Sequence, residues 1–341
     1  MNGGPRDAGP PRGRRARPLA IDKGQALGND YLVVRAEGLA AALGAAPAGP
    51  GGHDPALPGP GVRGPAPGAD GPADPMTPVL ARALCDRHRG LGGDGVLVGW
   101  PDRSPIRLRI WNPDGTPAEK SGNGLRIFGA WLHRAGVVGE DPFDVELPRD
   151  TVTMRVIGEA GGGALDLEVA LGRADFRGSA AGFGARDDVV DEEPLDLGAA
   201  GEARVNTVSL GNPHCVVLVD AFERADFAAR GPALATHAAF ARGTNVQFAR
   251  ARDRRTAEAW IWERGAGETL ASGSSACAVA ATLVRKGLLD AGAVTVRMPG
   301  GAVGVDVADD YALTLRGPAQ IVYEARVPAS VLSAWSAPVR S

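Results

Sequence analysis

Short runs in which apolar and polar residues alternate cover much of the chain, and this two-residue period predicts β-strands. The strands predicted in this way are Arg107–Trp111, Thr151–Ile157, Leu165–Leu171, Thr207–Val219, Ala257–Trp262 and Val294–Met298. Helices are predicted for fewer segments, namely Thr77–Arg89, Gly122–Ala135, Arg230–Phe240 and Gly273–Lys286. Many strands with a few helices predict an α+β fold.

One short pattern occurs twice, 151 residues apart. The segment Arg109–Asn112 is followed, nine residues after its Asn, by Ser121-Gly122-Asn123-Gly124. The segment Trp260–Glu263 is followed, nine residues after its Glu, by Ser272-Gly273-Ser274-Ser275. Each copy predicts a strand, a Gly-containing loop and a Ser-Gly corner that begins an Ala-rich helix. We expect the two corners to hold one small ligand between two facing hydroxyls.

Two more pairs of segments extend this repeat: Leu27–Val34 with Leu210–Val217, and Gly93–Leu97 with Gly243–Phe248. Their separation falls from 183 to about 150 residues, so the first half holds about 33 extra residues. A Pro/Gly-rich stretch at 38–75 accounts for nearly all of them and is expected to be a mobile loop. The repeat predicts homologous halves at 19–150 and 151–325. A disordered tail at 1–18 and a C-terminal tail at 326–341 would flank them.

Composition excludes several classes of function. The 341-residue chain is 44% hydrophobic and has a net charge of −3, which argues against a nucleic-acid partner. The basic cluster Arg12–Arg17 has no apolar run after it, so a tail is expected rather than a signal peptide. No stretch of 18 apolar residues predicts a membrane span. Cys85, Cys215 and Cys277 are too scattered for a disulfide framework or a metal site, which fits the cytoplasm.

The two corners are candidates for binding an anion. A helix N-terminus has unpaired backbone N–H groups and a partial positive charge, which suit a carboxylate or a phosphate. Gly122-Asn123 and Gly273-Ser274 would let a ligand approach the backbone closely. Ser121 and Ser272 could equally be ordinary N-caps. Matching spacing in both copies favours the shared ligand site.

Polar residues near the corners are candidates for holding the ligand. Four asparagines sit at turns or strand ends: Asn29, Asn112, Asn212 and Asn245. Single Asn residues are common in turns, whereas four in both copies suggest amides that bind a polar ligand. Glu263 and Arg264 precede the second corner, and Arg264 suits a bidentate contact with a carboxylate, although a surface ion pair is the alternative. His214 follows Pro213, where a proton-handling role and a structural role both stay open.

Taken together, these segments resemble the diaminopimelate epimerase family. The matching segments, in the family's order, are Leu27–Tyr31, Asp86–Gly95, Trp111–Gly115, Ser121–Gly124, Gly211–His214, Thr244–Val246, Glu263–Thr269 and Met298–Gly301. The resemblance implies two similar domains, each a strand-rich, barrel-like sheet around a central helix. It implies an amino-acid-like substrate in the cleft between them and no cofactor. A homodimer is left open.

By position, the resemblance also assigns roles to residues of this chain. Asn29, Asn112, Asn212, Asn245, Glu263 and Arg264 would hold the substrate. Gly122-Asn123 and Gly273-Ser274 would bind its α-carboxylate, and His214 and Glu263 would flank the acid–base pair. The family's two catalytic cysteines correspond to Ser121 and Ser272. Ionising a thiol of pKa about 8.5 costs roughly 2 kcal/mol at pH 7, whereas an alcohol near ~15.7 costs on the order of 12 kcal/mol.

Three functions follow from this departure. The chain could be an epimerase or racemase in which Ser121 and Ser272 relay protons with His214 and Glu263 as partners. It could instead catalyse another isomerisation, tautomerisation or elimination with His214 or Glu263 as the base, while the serines only bind. Finally, it could bind an amino acid without turnover. If the substrate is diaminopimelate, the reaction would serve lysine biosynthesis.

Overall fold

The computed structural model describes residues 17–44 and 73–337. Within these ranges there are six helices: α1 Ala36–Ala42, α2 Pro78–Cys85, α3 Gly122–Arg134, α4 Arg224–Ala235, α5 Gly273–Arg285 and α6 Ala329–Ser336. The same ranges contain seventeen strands: β1 Leu19–Ala26, β2 Asn29–Arg35, β3 Val96–Trp100, β4 Ile106–Trp111, β5 Pro117–Ala118, β6 Phe143–Glu146, β7 Thr151–Gly161, β8 Ala164–Arg173, β9 Glu193–Asp196, β10 Glu202–Ser209, β11 Pro213–Leu218, β12 Asn245–Asp253, β13 Thr256–Glu263, β14 Gly267–Thr269, β15 Gly292–Met298, β16 Gly301–Val307 and β17 Ala312–Val327. The predicted α+β class is confirmed.

Eight strands close into a first barrel around α3. The hydrogen-bonded order is β1–β2–β3–β4–β6–β7–β8–β17, and β17 pairs back with β1. Helix α3 contacts strands on several sides of this barrel, and its first eleven residues are buried. Phe128 and Trp131 stack inside it with ring centroids 5.6 Å apart. The barrel-like sheet around a central helix is therefore confirmed for this half.

A second barrel repeats this order around α5. Its strands run β10–β11–β12–β13–β15–β16–β17–β8, and an isolated bridge between Asp175 and Ser209 connects the end of β8 to β10. The sequence of antiparallel and parallel pairings matches that of the first barrel. Strands β8 and β17 belong to both barrels, because the start of β17 pairs with β16 and its end with β1.

The boundary between the two halves lies later in the chain than the sequence predicts. Strands β7 and β8, at residues 151–173, complete the first barrel and pack on α3. The boundary predicted between residues 150 and 151 therefore falls inside that barrel. The tail predicted at 326–341 is also wrong where the structure describes it, because β17 extends to Val327 and α6 follows, with Leu332 buried.

The Pro/Gly-rich stretch begins later than predicted. Residues 38–42 belong to α1, where Leu39 and Ala42 are buried, so they are not part of a mobile loop. The remainder of the predicted loop at 45–72, the N-terminal tail at 1–16 and residues 338–341 lie outside the described residues. No helix in the described parts of the chain is long and apolar enough to cross a membrane.

Three predicted elements have different bounds. The predicted strand Thr207–Val219 is two strands, because Gly211 adopts a φ of +92° in the turn between them. The helix predicted from Thr77 to Arg89 ends at Cys85, since the Asp86 carboxylate accepts the backbone N–H groups of His88 and Arg89. The helix predicted at Arg230–Phe240 begins earlier, at Arg224. There Phe227 packs on Phe248, with ring centroids 5.2 Å apart.

Candidate active site

The two Ser-Gly corners meet at the centre of the molecule. Ser121 is the N-cap of α3 and its hydroxyl accepts the Gly124 N–H at 3.0 Å, whereas Ser272 is the N-cap of α5 and makes no such bond within its own helix. Gly122 and Gly273 touch, because a Cβ on either would lie 3.1 Å from the Cα of the other. The free N–H groups of both helix N-termini therefore lie side by side.

A cavity of about 620 Å³ opens in front of these helix ends. Both barrels contribute to it, and the sequence-predicted residues that line it are Asn29, Asn112, Ser121, Asn123, Asn212, Asn245, Glu263, Arg264, Ser272 and Ser274. Gly122 and Gly273 lie behind these residues at the helix junction. His214 is not among the lining residues. Sequence reasoning thus identified these lining residues from the two corners, the four turn asparagines and the Glu263-Arg264 pair.

At the first corner, Ser121 is paired with a tyrosine. The Tyr31 hydroxyl lies 3.2 Å from Ser121 Oγ, and the tyrosine lines the cavity although only 7% of it is exposed. Burial raises the pKa of Tyr31, and the negative charges of Glu263 and Asp94 raise it further. The phenol is therefore protonated at neutral pH. Sequence reasoning missed Tyr31, although Tyr31 and His214 occupy equivalent positions in the two copies of the repeat.

At the second corner, the ionisable neighbour is Glu263, at the end of β13. Burial raises the pKa of this carboxyl, and the Ser272 hydroxyl partly offsets the rise by favouring the charged form. A carboxyl whose pKa is raised is a stronger base than an ordinary one. The second corner thus combines a hydroxyl with a carboxylate suited to accepting a proton.

His214 lies behind the cavity rather than in it. Its side chain is fully buried, and the Gln247 amide donates to Nδ1 at 3.1 Å. Nε2 then carries the proton and donates to Asn212 Oδ1, also at 3.1 Å. Burial lowers the pKa of His214 to about 3, and the positive charge of Arg264 acts in the same direction. Of the two roles left open for His214, its surroundings match the structural one, which is to orient Asn212.

The predicted asparagines are held by other protein groups as well as facing the cavity. Asn29 donates to Asp94 at 2.8 Å and accepts from Asn123 at 3.1 Å. Asn245 donates to the Pro213 carbonyl at 3.1 Å and accepts the Arg264 N–H at 3.0 Å. These bonds fix the amides in place, so the cavity wall is preorganised before any ligand enters.

Arg264 is paired with a residue from the other half of the chain. Its guanidinium contacts the Glu119 carboxylate at 3.3 Å and donates to the Arg242 carbonyl at 3.1 Å. Glu119, two residues before Ser121, lines the cavity too. The surface ion pair considered for Glu263 and Arg264 is replaced by this pair across the cleft.

A charged cluster at the rim was not expected from the sequence. Arg87 contacts Asp30 at 2.7 Å and Asp94 at 2.8 Å, and Lys23 contacts Asp30 at 2.6 Å. Arg87 and Asp94 line the cavity. The segment Asp86–Gly95 is part of the family resemblance, but the sequence assigns no site role to Arg87 or Asp94. Within residues 17–44 and 73–337, no group of three or more His, Cys, Asp or Glu side chains could hold a metal ion.

Comparison with known proteins shows which family the sequence matches. The family model described as Diaminopimelate epimerase matches residues 70–176 and 206–322. The chain is similar to diaminopimelate epimerase 2 of Nostoc sp., with 39% identity over 71% of this chain and 83% of the relative. It is also similar to O-ureido-serine racemase of Streptomyces lavendulae, with 38% identity over 75% of this chain and 88% of the relative.

A solved structure shares the fold. The hydroxyproline epimerase of Agrobacterium vitis, solved with bound trans-4-hydroxy-L-proline, superposes with a TM-score of 0.63. The two sequences are 16% identical, and the match covers 91% of each chain. At this level of identity the likeness establishes the fold alone.

Proposed function

The chain belongs to the diaminopimelate epimerase family, and on that premise we propose that it catalyses cofactor-independent proton transfer at Cα of a polar amino acid. The observation that carries the proposal is the meeting of two helix N-termini at one cavity, with Ser121 and Ser272 on either side. An epimerase needs one group on each face of Cα, so that one removes a proton and the other returns one.

The paired helix ends are the proposed site for the substrate's α-carboxylate. Gly122 and Gly273 are in contact, and Asn123 and Ser274 line the cavity, so both helix N-termini place positive partial charge beside it. The free N–H groups of these helix ends also stabilise the negative charge that develops on the carboxylate once the Cα proton leaves. Arg264 and the cavity-lining asparagines are the proposed contacts for the substrate's polar side chain.

Glu263 is the proposed base. An alcohol such as Ser272 would cost on the order of 12 kcal/mol to ionise at pH 7, whereas a glutamate is ionised there at no such cost. Burial raises the pKa of Glu263, which strengthens it as a base, and the adjacent Ser272 hydroxyl acts on the same carboxyl. His214 was the other candidate, but its two ring nitrogens are bound to Asn212 and Gln247, and it does not line the cavity.

One observation favours a second candidate function. The Ser121 hydroxyl accepts the Gly124 N–H, as an ordinary N-cap does. If both serines only cap and bind, Glu263 would serve a different isomerisation, tautomerisation or elimination. Replacing Ser121 and Ser272 together by Ala separates the two functions: epimerisation should then disappear, whereas a reaction that needs only Glu263 should survive.

The first test is deuterium incorporation. The protein is incubated in D2O with LL-diaminopimelate and, separately, with O-ureido-L-serine, and Cα deuteration is followed by NMR. We expect deuterium at Cα and the appearance of the opposite configuration. Glu263→Gln should lower both by about 10²–10⁴-fold, the usual contribution of a positioned base.

Glu268→Gln is the matched control. Glu268 also lines the cavity, but its carboxylate binds Arg224 at 2.6 Å on the surface. This variant should keep nearly all activity. Tight binding of an amino acid by calorimetry, with no exchange in D2O, would instead identify the chain as a binding protein.

We also propose the cytoplasm as the compartment, since the three cysteines are buried and unpaired, as in a reduced protein. Diaminopimelate as the substrate would place the reaction in lysine biosynthesis. A homodimer is proposed as one assembly to test by light scattering.

A further inference from the structure

The two corners differ in the ionisable side chain that reaches each hydroxyl. The repeat aligns Leu27–Tyr31 with Leu210–His214, so Tyr31 on β2 and His214 on β11 are equivalent positions. Tyr31 contacts Ser121 at 3.2 Å and lines the cavity. His214 points to Asn212 and Gln247 instead, and the charged neighbour of Ser272 is Glu263. The pseudo-symmetry of the fold is therefore broken where the chemistry takes place.

The Tyr31 ring is fixed in its position. It packs against Gly95, where a Cβ would lie 2.5 Å from Tyr31 Cε1 and 2.5 Å from the Trp111 carbonyl oxygen. A side chain at residue 95 would thus push the ring away from the corner. Since only 7% of Tyr31 is exposed, its hydroxyl faces Ser121 and the cavity rather than open solvent.

The hydrogen bonds of Ser121 leave its own proton available. Its oxygen accepts the Gly124 N–H at 3.0 Å and can accept the Tyr31 O–H at 3.2 Å. With both lone pairs used in this way, the Ser121 proton is directed toward the cavity. Burial raises the pKa of the Tyr31 phenol above its ordinary value of about 10, so the phenol is protonated at neutral pH and its proton can replace the one that Ser121 gives up.

We propose that Tyr31 supplies, through the Ser121 hydroxyl, the proton that reaches one face of the substrate's Cα, opposite the face served by Glu263. This inference rests on the proposed function and makes the two corners an acid side and a base side. Tyr31 does not touch the reacting carbon; it acts on it through Ser121.

The step balances in protons and electrons. The Cα–H bond breaks, its proton goes to the Glu263 carboxylate, and the electron pair remains on the substrate, delocalised into the α-carboxylate at the helix ends. Ser121 gives its proton to the opposite face of Cα, forming the new C–H bond, and takes the Tyr31 proton. Tyr31 is left as phenolate and Glu263 as the acid. Water then returns a proton to Tyr31 and removes one from Glu263.

The experiment compares Tyr31→Phe with the unchanged protein in D2O, using LL-diaminopimelate and O-ureido-L-serine as probes. Inversion is followed by chiral chromatography and Cα exchange by NMR. We expect Tyr31→Phe to lower inversion by about 10²–10⁴-fold. Exchange with retention should continue, because Glu263 still removes and returns a proton on its own face. The ratio of exchange to inversion should therefore rise, which a merely structural defect would not cause.

Tyr311→Phe is the control, because Tyr311 packs on Phe176 with ring centroids 5.0 Å apart and its phenol is not part of the cavity wall. It should change neither rate. If Tyr31→Phe still inverts within threefold of the unchanged protein, or loses exchange and inversion in equal proportion, the role of Tyr31 is wrong while the proposed function stands. If the unchanged protein exchanges neither probe, the proposed function fails and the role of Tyr31 falls with it.

Discussion

At each corner, the ionisable side chain beside the serine hydroxyl determines which proton transfer is possible. Ser121 lies against the Tyr31 phenol, and Ser272 acts on the Glu263 carboxyl. Because serine alone ionises at a cost on the order of 12 kcal/mol at pH 7, the neighbour decides whether a corner gives or takes a proton. The sequence shows both serines, but their spacing does not reveal which ionisable group reaches which hydroxyl.

His214 should make the fold sensitive to acid. Its pKa is about 3 in the folded chain, against an ordinary 6.5, because it is buried as a neutral ring. Between these values the unfolded chain binds a proton that the folded chain does not, so stability falls as the pH falls below about 6.5. From pH 6.5 to 5 this residue should cost about 2 kcal/mol of the free energy of unfolding. Urea unfolding at several pH values measures this change in the free energy of unfolding.

His214→Gln should remove this dependence, because an amide does not titrate in this range. His88→Gln is the matched control, since it makes the same substitution at an exposed position. An equal pH slope in the unchanged protein and in His214→Gln would mean that His214 is protonated in the folded chain.

Helices α3 and α5 depend on glycine at their first positions because their N-termini touch. A Cβ on Gly273 would crowd the side chain of Leu315 and lie 3.1 Å from the Cα of Gly122. Gly273→Ala should therefore push the corners apart, lowering stability by about 1–3 kcal/mol and weakening substrate binding. Thermal unfolding and the KM for the active probe measure the two effects.

Gly139→Ala serves as the comparison, because no atom of the described residues, apart from its chain neighbours, lies within 4 Å of a Cβ there and its backbone is not left-handed. It should change stability by less than about 0.5 kcal/mol. If Gly273→Ala kept both the stability and the KM of the unchanged protein, the close contact of the helix ends would be unimportant.

Elements with a strong local signal were predicted well. Both helices that begin at Ser-Gly corners are predicted to within one residue at each end, since serine is strongly preferred immediately before a helix, although only Ser121 caps its helix through the side chain. The helix predicted at Arg230–Phe240 was misplaced because packing of Phe227 in the core, rather than local sequence, sets where it begins. Propensity is a weak guide where tertiary contacts decide.

The two barrels share strands β8 and β17, so we expect the molecule to unfold as one unit. Leu315, on β17, is fully buried and lies against the positions of Gly122 and Gly273 at the helix junction. Leu315→Ala should lower the free energy of unfolding by about 2–5 kcal/mol and keep a single transition. Calorimetry with matched van't Hoff and calorimetric enthalpies checks this.

Leu288→Ala, at a leucine that is 42% exposed, should cost less than about 1 kcal/mol. Two separate transitions, with Leu315→Ala shifting only one of them, would show that the halves unfold independently despite the shared strands.

The sequence alone determined the repeat, the two helices that begin at Ser-Gly corners, and the cavity residues at those corners and at the turn asparagines, because these depend on local spacing and on residue types with strong positional preferences. Only the tertiary structure decided the rest. In the structure the first barrel extends to residue 173, His214 is buried and binds Asn212, and the Tyr31 hydroxyl contacts Ser121. These outcomes depend on which side chains meet across strands far apart in the chain. A repeated sequence pattern predicts equivalent backbone positions, whereas packing decides which side chain at each position reaches the ligand.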